Sequence, residues 1–151
     1  MFKNVLVAID GSAHAKRALA ESVDLVQGNG GSLTLVAVSP GLSPWMLGPG
    51  GMAPPENLGA LQKEIAHEVQ GLLDQAAATV PEEVSTETVL LEGPPAKAIV
   101  SQARQGGHDL IAMGSRGRGE ITSMVLGSTS HAVLHESPVP VLVVHLPDDN
   151  S

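Results

Sequence analysis

Three glycines, Gly114, Gly117 and Gly119, follow the apolar run Asp109–Met113, and Gly127-Ser128-Thr129 then leads into a helical pattern. Glycines this dense weaken any regular element, so a folded chain keeps them for a demanding turn or for a backbone that must come close to a ligand. The second purpose has definite chemistry. The glycines leave main-chain N–H groups uncovered by side chains, and Gly127–Ser128 opens a helix whose first amides point outward with the positive end of the dipole. Amides so disposed can cradle a polyphosphate without a lysine. Arg116 and Arg118 either add positive charge there or simply face solvent. A second polar cluster, Asp10-Gly11-Ser12, ends the first apolar run. Asp10 either faces the same ligand or is an acid favoured at a helix entry.

Other chemistries have weaker support. No Gly-x-x-x-x-Gly-Lys-Ser/Thr string occurs, and the first strand is followed by Asp-Gly-Ser rather than by the Gly-x-Gly-x-x-Gly dinucleotide fingerprint. No Gly-x-Ser-x-Gly elbow is present for a serine hydrolase. His131 and His135 stand at i, i+4, a spacing that can hold zinc. Their "HAVLH" has no internal Glu and no evident third ligand, so surface or capping histidines are the better account.

The composition narrows the partners. Sixteen Asp and Glu against eight Lys and Arg give a net charge of −8, and no basic block is present. Such a chain is a poor non-specific binder of nucleic acid or of an anionic membrane. No apolar stretch approaches the length of a membrane span, and Val5–Ile9 is too short for the core of a signal peptide. Without cysteine there is neither a disulfide framework nor a Cys-ligated zinc. A soluble cytoplasmic protein is expected. Phe2 and Trp45 are the only aromatics of their kinds and there is no tyrosine, so Val, Leu, Ile, Ala and Met must build the core.

At 151 residues the chain is read as one domain over 1–151. Five apolar runs, Asn4–Ile9, Ser32–Val38, Val84–Leu91, Asp109–Met113 and Val139–Leu146, are the candidate strands. The first and last are nearly continuous, as in strands buried on both faces of a parallel sheet, whereas Val84–Leu91 alternates like a strand nearer an edge. Ala15, Ala18, Leu19, Ser22, Leu25 and Val26 mark one helical face, with Ser12 as N-cap and Gly28 just past the end. A longer helix carries Leu58 to Ala76 and is ended by Pro81. A third carries Ala96 to Ala103 and stops at Gly106–Gly107, and a fourth runs from Gly127 to about Glu136. Strands alternating with helices predict an α/β fold, an open, doubly wound parallel sheet with helices on both faces. Its ligand crevice lies beyond the carboxyl ends of the strands, where strand order reverses. The Pro- and Gly-rich segment Ser39–Gly59, with Trp45 at its middle, is too long for a compact βα loop. It is a lid, a binding loop or a tolerated insertion.

Gly114, two residues, Gly117, nine residues, Gly127-Ser128 is the spacing of the ATP-binding branch of the universal stress proteins, which this chain resembles. "VLVAIDGS" (5–12) and "SPVPVLVV" (137–144) resemble the family as well, so the likeness covers nearly the whole chain. The resemblance implies five strands in the order 3-2-1-4-5 and ATP in the crevice, with Mg2+ held by the phosphates. By position it implies Asp10 at the ribose, the backbone of Val38 at the adenine edge, and Met113 and Gly114 beside ribose and phosphates. Arg116 and Gly117 then lie along the phosphate chain, and Gly127, Ser128 and Thr129 at its end. Where the family's adenine strand often ends in His-Val, this chain has Ala37–Val38, a change that a backbone contact survives. The Ser-Gly-Gly-x-Asp-Ser loop of related ATP-using enzymes is absent. The family also implies a homodimer through antiparallel pairing of the last strand. The expected function is a nucleotide-dependent binding or signalling module in stress response, with a slow ATPase or a nucleotide-free stress dimer as the alternatives.

Overall fold

A computed structural model describes residues 2–39, 55–115 and 127–146. Five parallel strands, β1 (Asn4–Ala8), β2 (Ser32–Ser39), β3 (Ser85–Glu92), β4 (Leu110–Gly114) and β5 (Val141–Val144), form one sheet in the order β3-β2-β1-β4-β5. Helices α1 (Ala13–Val26), α2 (Pro55–Ala78), α3 (Pro95–Gln105) and α4 (Ser128–Glu136) alternate with them. The expected architecture and strand order are those observed.

Period-two alternation divides the sheet into two apolar faces. Val5, Val7, Leu33, Leu35 and Ala112 meet Leu19 and Val26 of α1 and Leu73 of α2, while Leu6, Val36, Ile111 and Met113 meet Ile99 and Val100 of α3 and Val133 of α4. Branched and aliphatic side chains suffice for both cores. Helix α1 begins where its sequence requires: the Ser12 hydroxyl accepts the Ala15 amide at 3.1 Å, and Gly28, with φ +89°, follows the C-terminal Gln27.

Three expectations change. Leu25 is 39% exposed, because α1 faces the sheet through Ala15, Ala18, Leu19, Ser22 and Val26 and Leu25 falls outside that stripe. β5 is shorter than Val139–Leu146 and half-buried rather than buried on both faces. Pro140 has no N–H to give the ladder, although its carbonyl accepts the Ile111 amide at 3.0 Å, and β5 lies at the sheet's edge. Helix α2 starts at Pro55, inside the Pro- and Gly-rich segment, whose residues 40–54, Trp45 among them, lie outside the described residues.

The amino end of the sheet is stapled. The Asp109 carboxylate accepts the backbone amides of Lys3 (2.9 Å) and Asn4 (3.1 Å), and the Asn4 side chain donates to the carbonyls of Gly106 (3.4 Å) and Gly107 (3.2 Å). Between these residues His108 is 6% exposed, and its Nδ1 has no partner among the described residues. Burial holds its pKa below the usual 6.5, outweighing the opposite pull of the Asn4 backbone, Asp109 and Glu87. On acidification the unfolded chain therefore takes up the proton first. Stability falls as pH drops through the ordinary imidazole range, by at most about 1.4 kcal/mol per pH unit from this group, and the fall ends below the folded-state value. Denaturant unfolding between pH 7.5 and 5 should show this loss in the wild type and a flatter dependence in His108→Gln.

Candidate functional site

β1 lies between β2 and β4, so the chain leaves the sheet in opposite directions from neighbouring strands. Val5 pairs with Leu110 and Val7 with Ala112, which brings the loop after β1 and the loop after β4 to the same end of the sheet. This is the reversal of strand order at which a crevice opens in an open α/β sheet.

On the β1 side, Asp10 is half-buried and its Oδ1 accepts the Ser12 amide at 2.8 Å. That turn needs a left-handed residue, supplied by Gly11 at φ +83°. The carboxylate is thus held in place at the mouth of the crevice while Ser12 caps α1. Val38, one strand over, is paired with Leu91 of β3, and its side chain packs toward the α3 and α4 face. That side chain is half-buried.

The β4 side is built around Ser115. Its amide donates to the Val144 carbonyl at 2.8 Å, and its carbonyl accepts the Gly127 amide at 2.7 Å and the Ser130 hydroxyl at 3.1 Å. Its hydroxyl lies 2.9 Å from His145 Nδ1. The Ser130 hydroxyl also reaches the Gly114 carbonyl at 2.8 Å. Ser115 and Gly127, the described residues that precede and follow 116–126, are thus bonded to each other. Nearby, the Leu146 amide donates to His14 Nδ1 at 3.2 Å, and the rings of His14 and His145 are 5.6 Å apart. Ser115, Ser130, His14 and His145 brace the site, and none was singled out from sequence for that role. Ser115 occupies a variable place within the glycine spacing, and nothing in the residue types marks the other three.

Helix α4 opens at Gly127 with no side-chain cap. The amides of Ser128 and Thr129, in its first turn, have no carbonyl four residues back within the helix. The Ser130 amide shares this, whereas the Gly127 amide is bonded to the Ser115 carbonyl. Ser128 is exposed and Thr129 half-buried. Asp10, Gly114, Gly127, Ser128 and Thr129 are thus brought to one end of the sheet. Met113 is 4% exposed with its side chain in the α3 and α4 core, which leaves its backbone alone to meet a ligand. Arg116 and Gly117 lie outside the described residues. His131 and His135 are exposed on α4, and no group of three or more His, Asp or Glu able to hold a metal occurs among the described residues.

Residues 1–145 match the family model of the universal stress proteins. A universal stress protein of Thermus aquaticus is 38% identical over 145 residues, covering 95% of this chain and 99% of that one. The structure of the universal stress protein UspA from Lactobacillus plantarum superposes with a TM-score of 0.75 at 25% identity, covering 95% of this chain and 97% of that one. Two more distant structures share the fold, each with a TM-score of 0.60. One, from Arabidopsis thaliana, has AMP bound (17% identity, 98% of this chain and 94% of that one), and the other is a complex with cAMP (22%, 97% and 99%).

The glycine at 114 has a packing reason besides any ligand. A Cβ there would lie 2.5 Å from His14 Cβ, 2.9 Å from the His14 carbonyl carbon and 3.0 Å from the Ala15 amide nitrogen. Two of those atoms are α1 backbone and cannot swing aside. Gly114→Ala should therefore destabilise the protein by about 1–3 kcal/mol, the usual cost of overpacking, as read from the denaturant midpoint.

Proposed function

The chain belongs to the universal stress protein family, and on that footing we propose that it binds ATP in the crevice between β1 and β4 and acts as a nucleotide-dependent binding or signalling module. The observation that carries the proposal is the spacing Gly114, Gly117, Gly127-Ser128, which runs from the end of β4 to a helix start without a side-chain cap, at the same end of the sheet as Asp10. The Asp10 carboxylate is the acceptor for ribose hydroxyls, and the backbone of Val38 meets the adenine edge. Gly117 leaves room for the phosphate chain, with Arg116 beside it, and the amides of Ser128 and Thr129 receive the terminal phosphates. Mg2+ rides on the phosphates, since the described residues offer no cluster of their own to hold it. Relatives of this fold with AMP or cAMP bound support an adenine nucleotide as the ligand class.

The helix start allows a test that separates ATP from shorter nucleotides. Gly127 has φ −64° and ψ 158°, a conformation that a following proline accepts, and Ser128 is the first helical residue. Ser128→Pro therefore deletes one amide and leaves the fold intact. By calorimetry it should weaken ATP about tenfold, the effect of losing one hydrogen bond to a charged group, and leave AMP nearly unchanged. Equal affinities for ATP in the variant and the wild type would remove α4 from the phosphate site.

The family likeness also supports a homodimer through β5. That strand is apolar, half-buried and at the sheet's edge. Val143→Lys puts a charge in its middle and should shift the protein toward monomer in analytical ultracentrifugation at micromolar concentration. A wild type that sediments as a monomer there overturns the proposed dimer.

A further inference from the structure

We propose that the trough between α1 and α2 is a second ligand site, for a small amphipathic monocarboxylate with an apolar tail and one anionic head. The two faces of the sheet are covered differently. α3 and α4 pack against each other, whereas α1 reaches mainly β1 and β4 and α2 reaches β2 and β3, with a cavity of about 450 Å³ between them. That volume is in the range of small-molecule sites. Ile9 lies at its sheet end, Leu19 and Val23 line it from α1, and Leu72 and Ala76 from α2. Alanines on both helices, Ala20 and Ala76 among them, keep the space from being filled.

The rim gives the ligand its charge. Lys16 is the one charged residue, and no Asp or Glu occurs, among the described residues around the cavity, in a chain where acids outnumber bases 16 to 8. Its neighbour Arg17 is bonded to Glu21 at 2.9 Å, but Lys16 has no ion-pair partner among the described residues. An exposed lysine beside an apolar trough, with no ion-pair partner among the described residues, suits a carboxylate whose tail lies inside. The net charge of −8 repels a multiply charged anionic bilayer more strongly than a single free carboxylate. The cavity reaches Ile9 and Gly11, on either side of Asp10, but its described lining includes none of the residues assigned to the nucleotide crevice.

Calorimetry with decanoate on the intact chain tests this. The expected result is saturable binding of one decanoate per chain, weakened about tenfold by Lys16→Glu, with decanol binding several-fold more weakly than decanoate. Ala76→Phe should fill the trough and abolish binding, with a melting temperature at or above that of the wild type showing that the variant folds. Several results overturn the proposal. They are no saturable uptake below the micellar range, decanol binding as well as decanoate, and binding indifferent to both substitutions. Binding that appears only after residues 42–52 are deleted also overturns it, since the chain's own segment is then the occupant. ATP affinity, measured separately, bears on none of these outcomes.

Discussion

The close approach of α1 to the end of β4 is the contact on which the site depends. Gly114 has no Cβ, so the backbone of His14 and Ala15 can lie directly on it. That places the Asp10 turn and the loop base at Ser115 side by side. Any larger residue at 114 forces α1 away and separates the two loops before either meets a ligand. From this contact outward the bracing is polar: Ser130 holds both carbonyls at the end of β4, and Ser115 ties the loop base to the edge strand. A site whose parts come from three strands and two helices stays aligned because these bonds leave its ends little freedom.

The candidate site is made of backbone more than of side chains. Met113 and Val38 turn their side chains toward a hydrophobic core, Gly127 commits its amide to Ser115, and the remaining donors are the first amides of α4. Amides and a helix dipole attract phosphate without adding full positive charges, which suits a chain of net charge −8. In the proposed complex Asp10 meets hydroxyls rather than phosphates, since a carboxylate beside a phosphate chain repels it. The opposite end of the sheet does structural work. There Asn4 and Asp109 join the strands, and burial holds the pKa of the neighbouring His108 below its usual value.

Much of this was legible in the sequence for local reasons. Strand and helix patterns follow from the periodicity of apolar residues, and caps such as Ser12 and Gly28 act within a few residues of themselves. The alternating pattern of β3 marked it as an edge strand, and the glycine spacing marked the loop after β4. What escaped was set by partners far along the chain. The half-burial of β5 is not revealed by its own apolar run, although the strand order implied by the family resemblance already placed it at an edge, beside β4. The exposure of Leu25 depends on which stripe of α1 meets the sheet.

By itself the sequence determined the order and type of the elements, the family and the residues that end each strand, because these rest on short-range preference and on spacing along the chain. Tertiary structure alone decided what those residues have left to offer. It assigned Gly114 to a packing contact with α1, took the Gly127 amide for the Ser115 carbonyl, and left the amides of the first turn of α4 without an intrahelical acceptor. It also opened the trough between α1 and α2. The physical reason is that a hydrogen bond or a close contact joins residues distant in sequence. His14 with Gly114, Ser115 with His145, and Asn4 with Asp109 share no local pattern, and they meet only once the parallel sheet has formed.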